Sequence, residues 1–546
     1  MWKRLFKIAV AVFLFLTLAV GCWQGTGAIN SKSNQDKDVN EITLCESWGF
    51  EDGFPTVFTP GQNSNYQAAY YLANFYETLV NYQEGKIVPG LAESWSVSDN
   101  GLVYTFTLKK GVKFSDGADF NAAVVKKNLE MLPILLGDYK GSYENFSIFF
   151  KEAKIVDEHI VEVHLTSPYY GTLQDFAKPM PMGIMSPNAF NEDGTLSDKL
   201  LTQSMGTGPY MSEGQSGGNI YTFVRNPNYW GEKPYVDKFN VKVIPDNEAK
   251  ALALRNGEID MIFGSAKISY DGFKEFLEDR RYGAKTSDEN VKTRFLGFNL
   301  EKEPFNDKKV RLAVSHVIDK QSICTSLFYG IETKADNLLS KSLPYCNIEL
   351  EPYEHDVEKA KQLLETSGWT DSDGDGIREK AGKKLGGEIL YQTGNSVDHD
   401  LVLTLVSSLK EIGMEIKVTG LDLLAWYAEI QEGNYTMAYV KTYGLPFDPY
   451  TTIANMNSDP LMDNSLAQGF AHVKDGNSII KGLASLVDES EIQDKYDFIL
   501  KELHSNVSFV PISYMKELVV FDTEKIADYQ FNDQPPNVDV AGIKLK

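Results

Sequence analysis

Residues 102–117 read LVYTFTLKKGVKFSDG, and this run sets the class of fold. Tyr104, Phe106 and Leu108 alternate with Thr105 and Thr107. A period of two lets one face of a strand meet a core while the other meets water. Ser115, Asp116 and Gly117 then supply the residues a tight turn needs. Working outward, EITLC (42–46), IVEVHL (160–165), IYTFVRN (220–226) and KFNVKVI (238–244) also read as strands. Helical spacing marks YQAAYYLANFYETLVNY (66–82), where Tyr70, Leu72, Phe75, Leu79 and Tyr82 share a face. It also marks DKKVRLAVSHVI (307–318) and DVEKAKQLLETSGW (356–369), the latter closed by Gly368. No internal repeat is visible. Strands and helices mixed over such a length imply an α/β protein of several lobes.

The chain has 546 residues with 42% apolar and 12% aromatic content, more than one core usually supports. Its formal charge is −23, which argues against nucleic acid, whose binding needs a basic footprint. The first residues, MWKRLFKIAVAVFLFLTLAVGC, carry Lys3, Arg4 and Lys7 ahead of an apolar stretch from Ile8 to Val20. That stretch suits a signal peptide and is short for a spanning helix. Leu18-Ala19-Val20-Gly21-Cys22 resembles a lipobox, so residues 1–21 are expected to be removed and Cys22 to be lipidated. Residues 22–41 are small and polar, as a flexible tether should be. With Cys22 set aside, Cys45, Cys324 and Cys346 remain. Cys324 and Cys346 are either a disulfide or two buried thiols.

Two motifs admit chemical readings. DSDGDGIREK (371–380) begins like a calcium-binding EF-hand loop, but the twelfth residue is Gly382 where a bidentate Glu belongs. It lies between a helix and the strand GEILYQ, where an acidic turn fits. GQSGG (214–218) matches the nucleophile elbow of serine hydrolases, with Ser216 as nucleophile. The elbow requires a helix after the serine, whereas NIYTFV alternates like a strand, so Ser216 is expected in a hairpin turn.

YETLVNYQEGKIVPGLAESWSVSDNGLVYTFTLKKGVKFSDGADFNA (76–122) resembles the signature of the family 5 extracytoplasmic solute-binding proteins. GTGPY (206–210), RNPNYWGEKPYVDKF (225–239), ALRNGEIDMIFG (253–264), FNLEKEPFNDKKVRLAVSHVIDK (298–320), GWTDSDGDGIREK (368–380) and PISY (511–514) follow in family order. The resemblance implies a two-lobed α/β receptor of the periplasmic-binding-protein type, class II, in the large cluster with an extra subdomain in lobe I. Lobe I would take 42–270 and 510–546, and lobe II 271–509. The implied role is a monomeric receptor, not an enzyme. It would be held by its lipid on the outer face of the cytoplasmic membrane, on a monoderm surface or in a periplasm. It would pass cargo to ABC permease subunits and need no cofactor. The family's DGDG segments carry no calcium function, which favours the turn reading at 371–376.

Within the family the cargo is nickel, a metal chelate or a peptide. Peptide receptors carry an Asp in a Trp-Gly-Ala-Asp-like segment that pairs with the peptide's ammonium. Here KTYGLPFDPY (441–450) has Leu445-Pro446 at that place and resembles the nickel-binding branch. The resemblance makes Tyr443 and Phe447 aromatic walls of the cleft and Thr59 part of its floor. The chelate-gripping arginine of that branch is replaced by Met180 in AKPMPMGIMSP (177–187), with Lys178 as a nearby point charge. Met180, Met182 and Met185 suit either a soft ion or an apolar wall. His399, in an expected loop before a helix, and His472 are the candidate metal ligands.

Overall fold

The computed structural model describes residues 39–58, 67–442, 448–458 and 463–546. Its first strand, Glu41–Glu46, is built from EITLCE, with Ile42, Leu44 and Cys45 at 0–1% exposure. A strand buried on both sides suits the middle of a sheet. It pairs in parallel with Lys238–Val243 and with Met261–Phe263. The resulting seven-stranded sheet runs Tyr282–Thr286, Leu518–Asp522, Met261–Phe263, Glu41–Glu46, Lys238–Val243, Ile220–Arg225, Tyr210–Gln215. Its core is aromatic, with Phe50, Phe54, Tyr71, Phe75, Phe223 and Phe239 stacked or edge-on. Each such ring contributes about 2 kcal/mol by leaving water.

A second sheet of six strands runs Thr333–Lys334, Phe509–Met515, Lys292–Phe298, Met437–Lys441, Gly386–Gln392, Glu415–Leu421. Helices Lys308–Val317, Val357–Thr366 and Ser396–Glu411 accompany it, each capped by the side chain before it (Asp307, Asp356, Asn395). The third sheet is antiparallel and four-stranded: Ala92–Val97, Val103–Leu108, Ile160–Leu165, Phe150–Asp157. Helix Ala122–Leu136 packs on it, started by Asn121, whose side chain accepts from the amides of Ala123 and Val124.

The chain passes between the two large sheets twice. Strand Tyr282–Thr286 ends in the seven-stranded sheet and Lys292–Phe298 opens in the six-stranded one. Phe509–Met515 pairs with Lys292–Phe298, and Leu518–Asp522 returns to the seven-stranded sheet. The crossings between the sheets lie at 287–291 and 516–517.

Most expected strands form as read. The helix expected over 66–82 does not form as read: a 3₁₀ turn covers Gln67–Asn74 and a strand begins at Val80. The turn fits beneath a neighbouring backbone: a Cβ at Gly206 would stand 2.0 Å from the Phe75 carbonyl oxygen. His399 lies inside helix Ser396–Glu411, not in a loop before it. Cys324 and Cys346 are both buried and free, as is Cys45. Among the described residues no helix is long and apolar enough to cross a membrane.

Candidate functional site

Where the chain crosses between the large sheets, charged side chains gather that a core strand would not otherwise carry. KTRFLGF (292–298) places Lys292 and Arg294 two residues apart, hence on one face. Arg294 is 1% exposed. Its Nε donates to both oxygens of Glu332 at 2.9 and 3.0 Å, and its other arm donates to Asp398 and to the Tyr439 hydroxyl. Tyr270 and Ser513 donate to the same Glu332 carboxylate. The carboxylates hold the guanidinium well above its usual pKa despite burial. Lys441, opposite Arg294 in the register, donates to the second oxygen of Asp398 at 2.6 Å.

Across the crossing stands Glu517, which accepts from the Ser265 amide at 2.7 Å and from its hydroxyl at 3.3 Å. Burial raises its pKa, and it also raises that of Tyr70 nearby, to about 12. Behind them Lys267 is paired with the fully buried Glu46.

A second buried charge cluster ties distant segments. Lys178 Nζ lies 2.7 Å from Asp175 and 2.5 Å from Asp448, and also donates to the Tyr143 carbonyl at 3.2 Å. The other Asp175 oxygen accepts from the amides of Asn145 and Phe146. Beside it Tyr170 meets the Tyr496 hydroxyl at 2.8 Å. This arrangement binds the segment 167–178 to 448–496 and holds both sides of the cluster in place.

Two sheets joined by two short crossings thus carry buried charge beside the joint. Comparison with known proteins decides the family. Residues 86–463 match the bacterial extracellular solute-binding proteins, family 5 middle. This chain is a family 5 solute-binding protein. The nickel-binding periplasmic protein of Escherichia coli (strain K12) is 31% identical over 472 residues, 86% of this chain and 88% of that one. Among solved structures, NikA from Brucella suis in complex with Fe(III)-EDTA is 29% identical with a TM-score of 0.85, covering 93% of this chain and all of that one. AppA from Bacillus subtilis in complex with a nonapeptide shares the fold at 22% identity and a TM-score of 0.75, over 93% and 99% of the two chains.

The motifs that pointed to the family have structural work in this solute-binding protein. Glu77 of the first signature accepts from Thr207 of GTGPY and from the Trp230 indole of RNPNYW, both at 2.7 Å. Three signatures therefore converge on one carboxylate, and Lys109 lies 4.0 Å over the Trp230 ring.

The expected cargo residues fare differently. Cys22, Thr59, Tyr443 and Phe447 lie outside the described residues. Met180 is half-buried against the aromatic core, while Met182 and Met185 are buried in two separate apolar clusters. Met182 and Met185 nonetheless line one small cavity, together with Leu129 and Leu132. Lys178 is 2% exposed and already matched by two carboxylates, so it is not an open point charge. His399 is exposed, with its Nδ1 2.7 Å from the Tyr391 hydroxyl. His472 is exposed as well, and partial desolvation and Arg311 lower its pKa. The two histidines have separate neighbours.

Ser216 sits in the hairpin between Tyr210–Gln215 and Ile220–Arg225, as expected. Its hydroxyl donates to the Ile220 carbonyl and accepts from Thr222. At the acidic loop, Asp371, Asp373, Asp375 and Glu379 come within 4.8 Å of one another. Their oxygens already accept from the amides of Gly374, Asp375, Gly376 and Ile377, and Lys384 pairs with Asp375 at 2.7 Å. Those bonds are what a turn of this sequence makes. The residues missed by sequence reading are Lys292, Arg294, Lys441 and Glu517. The available signal was the pair of cations on alternate positions of an otherwise apolar strand.

Proposed function

We propose that this chain is the binding-only receptor of an ABC importer, anchored by lipidated Cys22, and that it captures nickel or a metal chelate. The observation that carries the reading is the 31% identity to a nickel-binding periplasmic protein over most of both chains. Likeness to a chelate-bound structure at 29% identity supports it. Leu445-Pro446, in place of the Asp that would receive a peptide ammonium, points the same way. The proposed lobes are 40–286 with 518–546, and 292–515, hinged at 287–291 and 516–517. Closure about two short crossings is a known way for one ligand to bring two lobes together, and a closed form is what a permease would recognise. Ser216, in a hairpin, serves no chemistry in this reading. His399 and His472 are its proposed metal ligands, with Thr59, Tyr443, Phe447 and Met180 along the cleft.

A peptide cargo is the second reading. Met180 stands at the expected arginine and the Lys178 charge is already matched, so the grip known for chelates is not repeated here. Relatives include the oligopeptide-binding protein AppA of Bacillus subtilis (strain 168), 26% identical over 437 residues.

Native mass spectrometry on protein lacking residues 1–22, as purified and after adding nickel with histidine, tests the choice. A mass gain equal to a metal–histidine chelate supports the first reading. A ladder of peptide masses with no response to metal replaces it with the second. Stoichiometric labelling of Ser216 by a fluorophosphonate would overturn the binding-only role. Membrane-extracted full-length protein should carry a lipid mass that Cys22→Ala removes.

A further inference from the structure

Lys292, Arg294 and Lys441 occupy one face of the six-stranded sheet, beside the crossings. Among the described residues two carboxylates answer them directly. Glu332 takes Arg294, and Asp398 is shared by Arg294 and Lys441. Two anions thus match two cations, and Lys292 is left over. Among the described residues its ammonium makes no hydrogen bond or ion pair with the protein. Glu517 is the carboxylate whose field reaches it, and Glu517 is already held by Ser265. Lys441 is close enough for the two ammonium groups to repel. Burial lowers the pKa of both lysines. Yet Lys292 remains partly open to solvent, so an arriving group can reach it. A largely buried ammonium without a counter-charge is costly. An external anion is the group that would complete the site.

We infer that Lys292, with Lys441 beside it, is the subsite that receives a carboxylate of the cargo. This rests on the receptor reading above and adds to it the acidic class of the cargo. A carboxylate of a metal chelator and the C-terminus of a peptide carry the same chemistry. A lysine tolerates either, because a point charge imposes no planar geometry. Lys292 opens the strand directly after one crossing and Glu517 lies in the other. A carboxylate seated there touches the joint itself, which couples occupancy to closure.

The test is calorimetric titration of protein lacking residues 1–22 with paired ligands. One pair is nickel with L-histidine against nickel with L-histidinamide. The other is a tetrapeptide acid against its C-terminal amide. Wild type should prefer the acid of the pair it binds by at least about tenfold, as loss of a charge-assisted contact implies. Lys292→Met should bind that acid at least about tenfold more weakly and lose the preference, while Lys292→Arg retains it. The unliganded melting temperature of Lys292→Met should match or exceed wild type, because a cation without a partner has been removed. A Lys292→Met protein that keeps the acid preference overturns the inference and leaves the receptor reading standing. Wild type binding acid and amide equally overturns it without any variant. Wild type ignoring both pairs overturns the receptor reading with it.

Discussion

Lys178 and Asp448 are 270 residues apart in the chain and 2.5 Å apart in the fold. Both are buried, and Asp175 shares the same ammonium. Breaking such a pair leaves a buried charge partly unanswered, which costs about 3–5 kcal/mol. Asp448→Asn should therefore lower the melting temperature by several degrees. It should also make the 448–458 segment a preferred site of limited proteolysis. Wild-type melting and an unchanged digestion pattern would show that the pair holds nothing in place.

Beneath that pair lies Glu144, fully buried, bonded to Ser147 and next to Asp175. Burial first and the Asp175 charge second push its pKa from 4.5 to about 7. The folded protein then keeps a proton that the unfolded chain gives up. The stability this group contributes is complete below about pH 4.5 and is lost as pH rises through about 7. Glu144→Gln holds the neutral form at every pH. Between pH 4.5 and 8 its melting temperature should gain steadily on wild type, and a constant gap across that range would refute the assignment.

Cys45, Cys324 and Cys346 are buried and free, with burial raising the first two thiols to about 12. Protein lacking residues 1–22 should release three thiol equivalents to a disulfide reagent in denaturant and almost none when native. One equivalent in denaturant would mean that Cys324 and Cys346 are joined.

Gly206 and Gly482 make a contrasting pair. A Cβ at Gly206 would stand 2.0 Å from a backbone oxygen, whereas one at Gly482 meets nothing within 4 Å. Gly206→Ala should lose about 3 kcal/mol, since neither backbone can yield easily. Gly482→Ala, inside helix Gly476–Ala484, should gain about 0.5–1 kcal/mol. Equal effects in thermal melts would contradict the close approach of 206 to 75.

What the sequence by itself determined is the architecture and the family. Alternation in 102–108, the capping residues Asp307 and Asp356, and the turn at 371–376 act through neighbours in the chain, so they can be read without a fold. Three of the family signatures meet in space, since Thr207 and Trp230 both donate to Glu77. The helix expected at 66–82 gives way to a 3₁₀ turn that ends at Asn74, where Gly206 and Gly208 press on the backbone of Asn74 and Phe75 from far along the chain. Only the tertiary structure decided the sheet crossings and the charge balance around Lys292. Lys178 reads as an available cation until Asp448 is brought to it, and Lys292 reads as an ordinary surface lysine until Glu332 and Asp398 are seen to be taken. A counter-charge is a property of distance in space, and chain order does not encode it locally.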